Sequence, residues 1–161
     1  MSAQGVLYVH SAPPALCSHI EWAVARIVGA PVAMPWVSQP ASPGSLRAEL
    51  TWQARPGTAG AIASELAGWN RLRFEITEDS SPGCDGVRYC YTPDLGTFTA
   101  TTAANGDIMV PENRLRAILT VARGSLEDEV GGLLGTAWDN ELETFRRAGD
   151  GAPVRWLNAT G

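Results

Sequence analysis

Hydrophobic and polar residues alternate through the first half of the chain in blocks that predict strands and helices in turn. Residues 6–11 form a short run rich in β-branched and aromatic side chains, which ends before Pro13. Apolar residues then recur every three or four positions from Leu16 to Ile27, as on one face of a helix that stops at Gly29. Residues 32–37 resemble a strand interrupted by proline, which favours a place at a sheet edge.

The same order then repeats. Residues 46–54 alternate strictly between apolar and polar side chains, which predicts a half-buried strand. A helix begins near Gly57 and can be capped by Asn70, and residues 71–78 alternate again. The resulting β-α-β-β-α-β order is the ferredoxin-like split-βαβ pattern. It predicts that the strands at 46–54 and 71–78 flank the first strand.

The second half has a different pattern. After a loop at residues 79–86, strands at 87–91 and 97–102 form a predicted hairpin, and a brief strand at 107–110 follows a turn. One helix runs from Pro111 to Gly124, and a longer one runs from Ser125 to Gly149 with a capping-box spacing at its start. Gly131, Gly132 and Gly135 would weaken that helix, which indicates a close neighbour or a break. A last strand is predicted at 154–157.

We therefore predict a single α+β domain over residues 1–161 with a mostly antiparallel sheet. Its ferredoxin-like unit spans residues 1–79, and residues 80–161 extend it with a β-hairpin and two C-terminal helices. At 161 residues, the chain is long enough to bury roughly two-thirds of its unfolded surface without a disulfide or metal.

Charge and composition narrow the function classes. The formal net charge is −5, which argues against nucleic acid or an anionic membrane as a partner. All twelve basic residues are arginine, so Schiff-base, P-loop and lysine-base mechanisms are excluded. Three cysteines without paired spacing favour a reducing compartment, and no segment has the pattern of a signal peptide or a membrane span. We expect a cytoplasmic protein without a cofactor.

His10, Cys17 and His19 form the most suggestive chemical cluster. His10 ends the first predicted strand, while Cys17 and His19 fall in the first turn of the following helix. A helix N-terminus lowers the pKa of a thiol, and a nearby imidazole can act as a base. The alternative is a small buried cysteine beside histidines that make local hydrogen bonds. The spacing matches no known zinc pattern.

Two further groups suggest partner binding. The first is the polar sheet face with Arg47, Arg71 and Arg73, whose guanidinium groups suit carboxylates or phosphates. Glu49 and Glu75 interleave with them, so an internal salt-bridge lattice or burial is the alternative. The second is the hairpin with Arg88, Tyr89 and Tyr91, because tyrosine and arginine are enriched at interfaces. Cross-strand packing explains those tyrosines equally well.

The remaining signals favour structure over catalysis. The last helix has an acidic face with Glu127, Asp128, Glu129, Asp139, Glu141 and Glu143. This face is typical of a solvated surface, and the alternative is a docking surface for a basic partner. Most of the six tryptophans lie on predicted apolar faces. The motifs GxGxxG, GxSxG, HExxH and CxxC and the Walker loop do not occur in the sequence. The residues alone therefore do not identify a reaction.

Three segments carry a family resemblance: MSAQGVLYVHSAPPALCSHIEWAVARIVG, LTWQARPGTAG and LRFEITEDSSPGCDGVRYCYTPDLG. They resemble an actinobacterial family known only as domain of unknown function 3145. The all-arginine composition suits that high-GC lineage. Members of this family tend to be encoded beside fatty-acid synthesis genes, so the resemblance implies a partner in that pathway. Acyl-CoA carboxylase assemblies are the first candidate.

Two hypotheses follow from these observations. The favoured one is a non-catalytic accessory or regulatory protein that binds a fatty-acid synthesis enzyme. The alternative is a small enzyme or ligand-binding domain that uses His10, Cys17 and His19. A Cys17→Ala variant separates the two hypotheses, because it would abolish a thiol-dependent activity and leave docking largely intact.

Overall fold

The computed structural model describes residues 1–121 and 124–148. The helices in this part of the chain are α1 (Cys17–Val28), α2 (Thr58–Ala67), α3 (Glu112–Val121), α4 (Leu126–Leu134) and α5 (Thr136–Arg147). The strands are β1 (Ala3–Ala12), β2 (Val37–Ser38), β3 (Leu46–Ala54), β4 (Arg73–Glu78), β5 (Gly86–Thr92), β6 (Gly96–Thr102) and β7 (Ile108–Met109). The strand predicted at 154–157 lies outside the described residues.

The seven strands form one antiparallel sheet in the order β2-β3-β1-β4-β5-β6-β7. β1 lies between β3 and β4 and is antiparallel to both. This arrangement confirms the predicted α+β class and the ferredoxin-like order of the first four strands. The predicted hairpin continues the sheet beyond β4 as an antiparallel meander.

One face of the sheet is covered by α1 and α2. Leu7 and Val9 of β1 point to this side, where they share a buried cluster with Ile20 of α1 and Ile62 of α2. The start of α2 is fixed by Glu78 of β4, whose two carboxylate oxygens accept hydrogen bonds from the backbone N–H groups of residues 57 and 59 at 2.9 and 3.0 Å. These bonds satisfy helix donors that would otherwise have no partner.

The opposite face is partly covered by α5. Leu142 packs in a second buried cluster with Cys90, Phe98 and Ala100 of the hairpin. Trp138 borders this cluster, and its indole N–H donates to the carbonyl of Gly96 at 2.9 Å. The sheet therefore lies between two layers, and polar side chains on this face of β4 and β5 contact α5.

The C-terminal helices differ from the prediction in number. The long last helix is two helices, because Gly135 adopts a φ of 72° and ends α4. A side chain there would be strained, and a Cβ would lie 2.6 Å from the Phe98 ring. At the start of α4, the Ser125 hydroxyl accepts a hydrogen bond from the Asp128 N–H at 3.4 Å, as its spacing predicted. Within residues 1–121 and 124–148, no helix combines the length and apolarity needed to cross a bilayer.

Candidate functional site

A carboxylate buried between the sheet and α5 is the centre of the main polar cluster. Glu75 of β4 is fully buried. Its Oε2 accepts from His10 Nε2 at 2.6 Å and from Arg146 Nε at 2.9 Å. Its Oε1 accepts from Arg146 Nη2, and from Arg88 Nη2 and Cys90 Sγ at 3.4 Å each. Arg146 thus binds the carboxylate with two nitrogens of its planar guanidinium, the geometry that gives the strongest charge-assisted pairs.

A second carboxylate binds the same two arginines. Asp139 Oδ1 accepts from Arg88 Nη2 at 2.8 Å and from Arg146 Nη2 at 2.9 Å. The Asp139 side chain is 39% exposed, whereas those of Arg88 and Arg146 are buried. Two guanidinium groups therefore lie between Glu75 and Asp139, and Glu143 Oε2 lies 3.6 Å from Arg146 Nη1. We call Glu75, His10, Arg88, Asp139 and Arg146 the Glu75 cluster.

The backbone of β1 places His10 in this cluster. The register of β1 shifts after Val9 against both β3 and β4, so His10 lies in an irregularity of the strand. Such bulges re-aim a side chain relative to the regular pleat. The buried Gln39 amide donates to the His10 carbonyl at 2.8 Å and to the Phe145 carbonyl at 3.2 Å. Gln39 therefore ties β1 to α5 beside the cluster.

The surroundings shift the pKa values of the buried groups strongly. Burial alone would raise the pKa of Glu75, but hydrogen bonds from His10 and Arg146 hold it well below the usual carboxyl range. Burial would lower the pKa of Arg146, yet its contacts with Glu75 and Asp139 raise it. For the neighbouring Cys90 thiol, burial and the charge of Glu75 raise the pKa. Glu75 is therefore ionised, and Cys90 is a protonated thiol near neutral pH.

The chemistry of the Glu75 cluster is suited to binding α5 to the sheet and poorly suited to activating a substrate. Its central carboxylate has no exposed surface, and both of its oxygens are engaged within the protein. A general base needs an accessible lone pair within hydrogen-bond reach of the proton that it removes. The Glu75 cluster instead joins three strands to α5.

The structure separates the three residues of the predicted thiol-histidine site. His10 belongs to the Glu75 cluster on the α5 side, whereas Cys17 packs in the core between the sheet and the helix pair. His19 is exposed on α1. The lowered pKa expected for Cys17 was wrong, because burial and the charge of Glu21 raise it. Among the described residues, no group of three His, Cys, Asp or Glu side chains is placed to hold a metal ion.

The arginines of the predicted sheet face have different surroundings. Arg73 is partly buried under α5, where its guanidinium carbon lies 4.6 Å from the centre of the Phe145 ring and its Nε lies 3.6 Å from Glu141. Arg47 is partly buried on β3, and Arg71 is exposed just before β4. The alternative of burial and internal pairing therefore describes Arg73, while Arg71 is open to a partner.

The hairpin residues divide between the two faces of the sheet. Arg88 points to α5 and joins the Glu75 cluster. Tyr89 and Tyr91 point to the helix pair; Tyr91 is buried, stacks on Phe74 and donates from its hydroxyl to Asn70 Oδ1 at 2.8 Å. Burial raises the pKa of both tyrosines. These three side chains do not form one surface, and partner binding through them stays a prediction.

Two members of the Glu75 cluster were missed by the sequence analysis. Arg146 was not singled out, and Asp139 was assigned to a solvated acidic face. Their spacing around Leu142 carries a signal, because positions 139, 142 and 146 follow the i, i+3, i+7 pattern of one helix face. Opposite charges on either side of a buried leucine, on the same helix face, indicate an ion pair between that helix and the surface on which it packs.

A polar pocket of about 510 Å³ opens on the α5 side of the sheet. Gln4, Thr77, Asp79 and Thr102 line it with Arg88, and the turn at residues 103–106 closes one side. Its lining contains no histidine or cysteine, so it does not join the groups of the predicted thiol-histidine site.

Thiol chemistry gives a direct test of these placements. Cys17 and Cys90 are buried, and Cys84 is exposed. We expect one thiol to react rapidly with a colorimetric disulfide reagent in the folded protein and two more to react only after unfolding, because the reaction needs an accessible thiolate. A Cys84→Ser variant should lose the rapid phase. Rapid reaction of a second thiol in that variant would contradict the burial of Cys17 and Cys90.

The fold and the Glu75 cluster define an α+β protein. Its ferredoxin-like unit is extended by a hairpin, and the charged helix α5 packs on one face of the sheet through the Glu75 cluster. Residues 6–159 match the model of the family described as "Protein of unknown function (DUF3145)". The chain therefore belongs to that family. No curated protein and no solved structure matches the chain.

Proposed function

We propose that this chain is a non-catalytic accessory or regulatory protein that binds a fatty-acid synthesis enzyme in an actinobacterial cytoplasm. The link to fatty-acid synthesis comes from the family resemblance, and an acyl-CoA carboxylase complex is the first candidate partner. The proposal that the protein is non-catalytic rests on one observation. The ionisable groups of the candidate sites make their contacts inside the protein. His10, Glu75 and Arg88 bind one another or α5, and the Cys17 thiol packs in the core.

One exposed side chain has the properties of a binding anchor. Trp22 on α1 is 62% exposed. It is the one exposed tryptophan in the part of the chain that the structure describes, whereas Trp36, Trp52, Trp69 and Trp138 pack in or against the two cores, as predicted for most tryptophans. Tryptophan and arginine dominate binding energy at protein interfaces because they bury large, rigid surfaces. Leaving an indole in water is unfavourable, so a partner that covers it gains free energy.

Neighbouring side chains hold this tryptophan in place. The Arg26 guanidinium carbon lies 4.9 Å from the centre of the Trp22 ring, and Arg26 Nη2 lies 3.3 Å from Glu65 Oε1 on α2. His19 is one helical turn earlier on α1 and is also exposed. A side chain held before binding loses less rotamer entropy on association. We call His19, Trp22 and Arg26 the Trp22 surface, and we assign the partner to it.

The proposal is tested by a variant of this surface. We expect Trp22→Ala to weaken binding to acyl-CoA carboxylase subunits by about thirtyfold, the loss typical of a central aromatic anchor. The measurement is affinity purification of the tagged chain from native cytoplasm, followed by titration of the purified carboxylase subunits against the wild-type and variant proteins.

Leu95→Ala is the matched control, because Leu95 is an exposed apolar residue in the hairpin turn, outside the Trp22 surface. It should bind as the wild type does. Recovery of the wild-type chain alone at low salt would overturn the proposed function. Equal affinities of the Trp22→Ala and wild-type proteins would overturn the assignment of the partner to α1.

A further inference from the structure

Several large apolar side chains of β7, α3 and α4 are exposed to solvent. Leu119 is 73% exposed, and Met109 and Leu126 are each about half exposed. Leu115 precedes Leu119 by one helical turn, and Leu126 and Leu134 share one side of α4. α3 and α4 contact each other, so these exposed side chains lie on adjoining elements. Contiguous exposed apolar patches mark interaction sites, whereas isolated apolar residues do not. We call these five residues the α3–α4 surface.

The two helices of this surface carry opposite charges. α3 has Arg114 and Arg116 beside a single acid, Glu112, which pairs with Arg116 along the helix. α4 has three acids in its first turn and no basic residue; they are Glu127, Asp128 and Glu129. Within the described residues, Arg114 and the three acids of α4 form no ion pair. All four of these side chains are exposed.

The α3–α4 surface has apolar residues at its centre, basic residues on α3 and acidic residues on α4. Such a surface is complementary to a second copy of itself. A two-fold axis between α3 and α4 would place α3 of one copy on α4 of the other, and the same contact would occur twice. Arg114 and Arg116 would then meet the acids of the partner's α4, and the leucines would be covered. We propose that the α3–α4 surface binds a second copy of this chain and makes the protein a two-fold symmetric dimer.

This proposal is independent of the Trp22 surface, which lies on α1, on the other side of the sheet from α5. A dimer would present two Trp22 surfaces, and a partner with repeated subunits would then bind both copies more tightly than one. The fatty-acid synthesis partner is not needed for the dimer to form. Failure of one proposal therefore leaves the other standing.

We expect the full chain at about 0.1 mM to sediment with roughly twice the 17.1 kDa mass of one copy, because association follows mass action. Leu119→Glu should raise the dimer dissociation constant at least about tenfold, since it places a charge in the apolar centre. Leu119 is so exposed that the variant should keep the wild-type circular dichroism and melting temperature. Trp22→Ala, the matched control on α1, should remain a dimer.

Charge reversal tests the two-fold arrangement itself. Arg114→Glu with Arg116→Glu makes α3 acidic, and Glu127→Arg with Glu129→Arg makes α4 basic. Each double variant alone should be a monomer, because like charges then face each other across the axis. An equal mixture of the two should form a heterodimer, in which both helix pairs are complementary again.

Three outcomes would overturn the proposal. They are a wild-type chain that stays a monomer at about 0.1 mM, a Leu119→Glu variant that remains a dimer, and a mixture of the double variants that stays monomeric. In the first case the α3–α4 surface would be assigned to a different protein, and binding of carboxylase subunits through Trp22 would still be tested separately.

Discussion

Glu75→Gln is expected to destabilise the protein by about 3–5 kcal/mol, because the change leaves buried guanidinium groups without their main counter-charge. Of its ion pairs, Arg146 would keep those with Asp139 and Glu143, and Arg88 would keep the one with Asp139. A typical domain has a free energy of unfolding of only about 5–15 kcal/mol. The variant should therefore show a much lower urea midpoint with an unchanged slope.

Glu112→Gln is the matched control for this change. It also removes one carboxylate from an arginine pair, but the Glu112–Arg116 pair is exposed and spans a single helical turn. Surface pairs contribute little to stability, because water and salt screen them. Near-equal urea midpoints for the Glu75 and Glu112 variants would contradict a structural role for the Glu75 cluster.

The pH dependence of Glu75→Gln gives a second readout of the same change. The folded pKa of Glu75 lies below the unfolded value of about 4.3. The carboxylate therefore contributes stability above that value, and this contribution is lost as pH falls toward the folded pKa. The gap in unfolding free energy between wild type and Glu75→Gln should narrow from about pH 6 to about pH 3. A constant gap would show that folding leaves the pKa of Glu75 unchanged, and a gap that widens as pH falls would show that Glu75 is protonated in the native protein.

The Glu75 cluster determines where α5 lies on the sheet more clearly than it raises the free energy of unfolding. Apolar groups of similar volume often stabilise a protein as well as a buried ion pair does, so the pair alone is weak support for high stability. Here the cluster joins residues of β1, β4 and β5 to α5. In the part of the chain that the structure describes, α5 contributes Leu142 and Trp138 to the apolar cluster on this face. A shifted α5 would leave Glu75 without Arg146. The charges thus fix the register in which α5 lies on the sheet.

The fold of the first half could be predicted because local pattern and topology agree. Strict alternation in β3 and β4 predicted which side chains face the helices, and the split-βαβ pattern then placed β1 between them. Pro35 kept the second strand short, so β2 is limited to Val37–Ser38 at the sheet edge. The division of the last helix at Gly135 was only suggested, because a glycine in a helical pattern is compatible with packing or with a break.

The Glu75 cluster could not be predicted in the same way. Alternation placed Glu75 on the face away from α1 and α2, which is correct. Nothing in the local pattern states that α5, about seventy residues later in the chain, covers that face. The exposure of Trp22 was missed for a related reason: periodicity assigns an apolar residue to a face, but the extent of the neighbouring layer decides whether the face is covered.

Gly5→Ala is expected to destabilise the protein by about 3 kcal/mol or more, although it adds a single methyl group. Gly5 lies in the central strand β1, opposite Trp52 of β3 and Glu78 of β4. A Cβ at this position would overlap the Thr77 carbonyl oxygen and lie 2.8 Å from Cζ2 of the Trp52 indole. Backbone atoms of a paired strand cannot move aside as a flexible side chain can. The added methyl should therefore force β1 and β4 apart.

The control for this change is Gly132→Ala in α4, where a Cβ has no neighbour within 4 Å. Alanine there should stabilise the protein by about 0.5–1 kcal/mol, because glycine weakens a helix interior. Thermal and urea unfolding of the two variants should shift in opposite directions from the wild type. Equal stability of Gly5→Ala and wild type would mean that β1 and β4 are not paired in the register that places His10 beside Glu75. The Glu75 cluster depends on that register, so Gly5→Ala also tests the geometry of the candidate site.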